Sequence, residues 1–433
     1  MNKIVLLIFT IFLLNSCSLH DSGGFWSKQK SLATNQIDLK PLFEREELLK
    51  DEFNSNYLIK INASNLETNE SAFLDNNDSF VKLEPKLENI SKYQFSKIDE
   101  FNKIEPNLIF HENGIIFFDD NGTIINFDNQ SNLLWKKNVY TKNEKKNQPI
   151  LTFIKINNQL IVADNFSKLY SLNIDNGDIL WKTENSSPFN SQIKFYKDKF
   201  FIIDADNILG CYSVNDGSLL WQYKTEKPFI SSLKKLSLVI KDDQIIFNNS
   251  IGDITAVNLF EGSLLWQIST LKSNDYNDIM NLKTSNLIID DTSIYFSNNK
   301  NMFFSIDQMT GGIIWKQKIN SIIKPAIIDD LLFSISLNGL LFVVDKKSGN
   351  ILRITNVFDQ FNFKTKNKVE PTGIILNTKK FYVTTNKGHL MIGEIETGKT
   401  SQIIKLDKAK ISRPFVNDQS IYFIKKNSIL KLN

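Results

Sequence analysis

The 433-residue chain contains only two cysteines and three histidines. Those counts exclude a multi-disulfide scaffold, an iron–sulfur cluster and the common Cys/His zinc sites, so no metal is expected. Arginine is nearly absent, at Arg45, Arg353 and Arg413 alone, and the 51 basic residues barely exceed the 48 acidic ones. Nucleic-acid grooves use clustered arginine on one strongly basic face, and without that no nucleic-acid partner is expected. Long hydrophobic runs are missing too. The apolar stretch at 4–14, broken by Thr10, would rise about 16 Å as a helix, roughly half the bilayer's hydrocarbon core. A hydrophobic content of 42% is still enough for a large core, which excludes wholesale disorder.

What stands at the N-terminus is a short cationic start, Met1-Asn2-Lys3, followed by that apolar stretch. The pattern is that of a secretory signal. Leu14-Asn15-Ser16-Cys17 resembles the lipobox of bacterial lipoproteins. The resemblance implies a signal peptide over 1–16 and Cys17 as an acylated, palmitate-bearing mature N-terminus. Several acyl chains anchor firmly, because each buried CH₂ contributes about 0.8 kcal/mol. In Gram-negative lipoproteins an Asp after the cysteine favours the inner membrane; Ser18 therefore implies lipid anchoring at the periplasmic face of the outer membrane. With Cys17 acylated, Cys211 has no disulfide partner. Residues 17–88 are polar and read as a largely flexible tether.

The remainder, 89–433, is a repeat. LYSLNIDNGDILWK, LGCYSVNDGSLLWQ, ITAVNLFEGSLLWQ and MFFSIDQMTGGIIWK end on or just after Trp181, Trp221, Trp266 and Trp315, with a looser first copy at Trp135. Two later copies keep the frame with Arg353 and Gln402 at the anchor position, and successive anchors lie 38 to 49 residues apart. Four residues before the anchor stands a glycine, at Gly177, Gly217, Gly262, Gly311, Gly349 and Gly398, as a tight turn with positive φ requires. Ten residues before it the side chain is small in four copies (Ser171, Cys211, Ala256, Ser305), leaving room for an indole from a neighbouring unit. β-Branched and aromatic runs flank each turn, and two further strands precede it. Four strands per repeat of this length is the period of a propeller blade. The sequence therefore predicts an all-β protein, an eight-bladed β-propeller of four-stranded blades, with seven as the alternative count. The last copy has three strands, 413–416, 420–425 and 428–432; a strand from 90–98 would complete it and close the ring.

The frame Ser305-Ile306-Asp307-Gln308-Met309-Thr310-Gly311…Trp315 resembles the blade signature of quinoprotein-like propellers. Joined to the lipobox, it resembles the BamB-like lipoproteins of the outer-membrane barrel-assembly machinery, over about residues 89–433. That likeness implies a non-enzymatic scaffold without cofactor, whose partners are BamA, other assembly components and nascent outer-membrane proteins. It places partner contacts around the third to fifth blades, where Leu233, Lys234 and Lys235 lie near a family Leu-Arg element and Asp278 near an acidic pair. The alternative is a periplasmic dehydrogenase dependent on pyrroloquinoline quinone, which in that class uses calcium, an Asp and often a vicinal disulfide. Cys211 has no neighbour for such a bond, and the Asp pairs 119–120, 242–243, 290–291 and 329–330 each fall between predicted strands, where Asp supports a turn. His111 and His389 are isolated in sequence, and no phosphate loop, dinucleotide fingerprint or zinc-protease helix occurs.

Overall fold

Runs such as Gly114–Phe118 and Ser293–Asn298 are buried at every position, whereas Leu219–Lys224 alternates between exposed and partly buried residues. Strands covered on both faces can be continuously apolar; strands at a rim keep a wet face. That contrast fixes the architecture. The computed structural model describes residues 49–61, 72–82, 87, 90–95, 98, 107–271, 279, 281–362 and 368–433. Cys17, the leader before it and Asp278 lie outside the described residues.

Eight antiparallel four-stranded sheets form a propeller ring. Blades 1 to 7 span 109–137, 151–184, 194–224, 238–269, 288–317, 326–356 and 371–405. Blade 8 takes three strands from 415–432 and its outermost strand, Ile90–Gln94, from the other end of the ring. The closing pair runs in register from Ile90 opposite Leu432 to Gln94 opposite Ser428. The eight-bladed count and the N-to-C-terminal closure read from the repeats are both present.

The core is a set of apolar layers between adjacent blades. Ile202 and Ile161 meet between blades 2 and 3, Phe247 and Phe201 between 3 and 4, and Ile246 and Phe296 between 4 and 5. Turns between the second and third strands are held by side-chain caps. Asp119, Asp164, Asp204, Asn249 and Asn298 each accept the backbone N–H groups two and four residues on. Asp242, Asp243 and Asp329 have φ of +46°, +60° and +55°, left-handed turn positions that Asp tolerates. These acidic pairs are turn chemistry.

Two stretches of the expected tether are instead packed on the propeller. Phe53 exchanges both backbone hydrogen bonds with Ile354 on the outer strand of blade 6 (3.1 and 2.8 Å), and Ile59 is buried against blades 6 and 7. Residues 72–82 run among the innermost strands. Asn76 is hydrogen-bonded to the carbonyls of Leu238 and Leu287, Asn77 to both backbone groups of Ile327, and Val81 and Ser79 to Leu376. These partners belong to blades 4, 6 and 7 and the segment leading into blade 5, so the stretch occupies the axial channel. Polar composition reads as linker because it lacks apolar periodicity; here amides and backbone groups dock the chain together with isolated apolar side chains such as Ile59 and Phe80.

Candidate partner-binding surface

The repeat residues build the contact between blades. Each anchor indole lies against the turn glycine of the next blade. A Cβ on Gly217 would sit 2.4 Å from Trp181, one on Gly262 2.4 Å from Trp221, and one on Gly311 2.5 Å from Trp266. All six turn glycines have φ between +69° and +73°, so the position needs glycine for conformation as well as for space. The indole N–H then donates to the carbonyl three residues before that glycine. Trp135 reaches Ile174 (2.8 Å), Trp181 reaches Val214 (2.9 Å), Trp266 reaches Gln308 (2.9 Å) and Trp315 reaches Lys346 (2.9 Å). Trp221 breaks the series, since its buried N–H has no hydrogen-bond partner among the described residues. The small residues Ser171, Cys211, Ala256 and Ser305 pair directly across from the tryptophan of their own blade, a correction to the expected neighbour's indole.

Arg353 takes over where the indole is lost. It is fully buried, its guanidinium packs on Gly398, and one nitrogen donates to Ile395 at 2.7 Å, the equivalent carbonyl of blade 7. The other terminal nitrogen donates to the backbone carbonyls of Glu396 (2.5 Å) and of Tyr57 in the docked N-terminal stretch (3.0 Å). Burial lowers the guanidinium to about 10, which leaves it charged at neutral pH. The sequence places Arg353 at the anchor position but does not show its bonds, because only the fold brings Tyr57 and Ile395 together.

Leu233, Lys234 and Lys235 lie in the loop joining blades 3 and 4. Pro228 is buried, and Phe229 and Leu233 are 83% and 79% exposed. Backbone and hydroxyl contacts tie the loop to both flanking blades. Asn190 donates to the Ser232 carbonyl (2.8 Å), Ser231 to that of Ala205 (2.8 Å), and the Ser232 N–H to Ser250 (3.1 Å). Both lysines turn into the propeller. The Lys234 ammonium donates to the carbonyls of Thr284 (3.0 Å) and Ile322 (2.8 Å), and that of Lys235 to the Leu151 carbonyl (3.0 Å) and the Thr152 hydroxyl (2.5 Å). The two lysines, expected as partner contacts, are therefore struts that hold the loop across several blades, and its outward chemistry is apolar.

Other candidate chemistry is accounted for locally. Burial pushes the Cys211 thiol up to about 12, so it carries no thiolate at neutral pH. His111 bonds Asn126 (2.8 Å), and His389, lowered by burial and by Lys405, contacts Thr385 and Lys405. A cleft of about 410 Å³ lies between blades 5 and 6, where Lys346 stands 3.5 Å from Asp290 and 3.8 Å from Asp330. Among the described residues no group of three or more His, Cys, Asp or Glu is placed to hold a metal.

An eight-bladed ring locked by an indole on the next blade's glycine defines a quinoprotein-like β-propeller. Within that class the family model for outer membrane protein assembly factor BamB matches residues 120–355. That is more than half of the chain, which belongs to this family. Its fold is similar to the crystal structure of BamB from Moraxella catarrhalis (TM-score 0.63, 15% identity, covering 79% of this chain and 100% of that one). Comparable likeness extends to a computationally designed propeller, Ika8 (TM-score 0.59, 13% identity, 79% and 100% covered). The C-terminal WD40 domain of Sif2 is similar as well (0.58, 13%, 82% and 99%). At these identities the likeness is one of fold. No curated protein matches the chain in sequence.

Proposed function

We propose that this chain is a lipid-anchored, non-enzymatic scaffold of the outer-membrane barrel-assembly machinery. It binds the periplasmic domains of BamA through the loop between blades 3 and 4 and helps nascent outer-membrane proteins reach the assembly site. Family membership supports the general role. The observation that carries the binding reading is a rigid loop with an apolar tip: Leu233 is exposed while Lys234 and Lys235 pin the backbone beneath it. A preorganised loop loses little conformational entropy on binding, and an aliphatic anchor entering a partner pocket is the usual form of an interface hot spot. Asp278 is proposed as a second, acidic contact after blade 4.

Titrating the purified chain against BamA's periplasmic domains tests this. Leu233→Asp is expected to weaken binding by about 30-fold, corresponding to about 2 kcal/mol, with the melting temperature unchanged. Lys234→Ala is expected to weaken binding and lower the melting temperature together, because it removes a strut. Wild-type affinity in Leu233→Asp would take this loop out of the interface.

A further inference from the structure

The stretch in the axial channel is recognised residue by residue. The Asn76 amide donates to the carbonyls of Leu238 (3.0 Å) and Leu287 (2.9 Å) and to the Ser237 hydroxyl (3.2 Å), while its oxygen accepts from Lys194. Asn77 makes the two-way pairing with the Ile327 backbone that reads a carboxamide, donating at 3.1 Å and accepting at 2.9 Å. Asp78 is bonded to Lys324 and lies 3.3 Å from Arg413. Burial pushes its carboxyl up, but those two cations outweigh burial and hold it well below the usual carboxylate range. Ser79 and Val81 complete the contact with two backbone hydrogen bonds to Leu376, both 2.8 Å.

The ring does not need this segment for its own closure. All eight sheets have their four strands without it, and the closing strand, Ile90–Gln94, lies downstream. Beside the packing of Leu74, Phe80 and Val81 on apolar clusters of the ring, the contacts are polar, and the Asp78 side chain stays 41% solvent-accessible inside the channel. Contacts of that kind give specificity more than permanence. Lys194, Lys324 and Arg413 converge on the segment: Lys194 bonds Asn76, and all three cations lower the Asp78 carboxyl.

We propose that the axial channel is a peptide-recognition site, selective for a segment that presents an amide-amide-carboxylate triplet on a tight turn closed from the Phe80 N–H to the Asn77 carbonyl (3.2 Å), and that residues 76–81 occupy it in cis. The partner it fits in trans is a turn-forming peptide of the same chemistry from another polypeptide, admitted when the resident segment leaves. This site is separate from the loop at Leu233 and does not depend on BamA binding.

The test uses the whole chain and a fluorescent peptide with the sequence of residues 72–82. The double variant Asn76→Ala/Asp78→Ala, weakened only in its own segment, is expected to bind that peptide at least about tenfold more tightly than the wild-type chain does. A peptide carrying the same two substitutions is expected to bind neither. On the unaltered chain, excess peptide is expected to speed hydrogen exchange at the Val81 amide, while the Leu376 amide stays protected because the incoming peptide replaces Ser79. That second measurement stands even if the double variant fails to fold. The proposal is overturned if Val81 exchange is indifferent to the peptide at equilibrium. It is equally overturned if a folded double variant shows no binding, or binds the substituted peptide as well as the native one.

Discussion

At the scale of single residues, one hydrogen bond separates otherwise equivalent tryptophans. Trp181 and Trp221 are both partly buried against a turn glycine, yet only Trp181 donates to the next blade. Trp181→Phe leaves the Val214 carbonyl without its donor and is expected to cost about 1–3 kcal/mol, whereas Trp221→Phe removes a buried, unmatched N–H and is expected to cost less. Paired urea unfolding curves measure the difference; equal losses would contradict the assigned roles. Lys194 makes a second test. Burial and neighbouring Lys324 lower its ammonium from 10.5 to about 7, against the opposing pull of Asp78 and Asp75. The folded chain then gives up this proton near pH 7, while the unfolded chain keeps it until about 10.5. Stability therefore rises with pH across that window, and the charged group costs stability below it. Melting temperatures from pH 7 to 9.5 are expected to climb more steeply in the wild type than in Lys194→Met.

Among the elements, the blades were legible in sequence and the docked N-terminal stretches were not. Tryptophan, glycine and small residues recur at fixed offsets because each blade solves the same packing problem against its neighbour. The stretch around Asn76 crosses from blade 4 to blades 6 and 7 within six residues and repeats no contact frame, so no period exists to be read. Lys234 and Lys235 show the same limit: a lysine pair at a turn has one appearance whether it is solvated or bonded to distant carbonyls. Arg353 links the two kinds of element, joining the outer strand of blade 6 to blade 7 and to Tyr57. Arg353→Trp restores the repeat's anchor and is expected to keep the contact with the Ile395 carbonyl while releasing that of Tyr57. Loss of a charge-assisted hydrogen bond of about 1.4 kcal/mol corresponds to roughly tenfold faster amide exchange. Phe53 and Ile59 are expected to show it with the ring amides unaffected; unchanged exchange there would mean Arg353 does not hold the stretch.

For the whole molecule, the proposed anchor at Cys17 determines where the ring works. Cys17→Ser is expected to move the protein from the outer-membrane fraction to the soluble periplasm, or to leave it with an uncleaved leader; retention in the outer membrane after a high-salt wash would exclude acylation at this residue. The closing strand has a consequence in time. Ile90–Gln94 pairs with Ser428–Leu432, at opposite ends of the ring's sequence. During synthesis and export the first strand emerges long before its partner exists, and blade 8 is incomplete until the last strand arrives. Contacts between such distant parts of a chain form slowly, because loop closure must precede the energy they return. Seven blades can thus assemble while the eighth waits with an open edge, and in that interval the nascent propeller is itself an unfinished β-sheet needing protection from other strands.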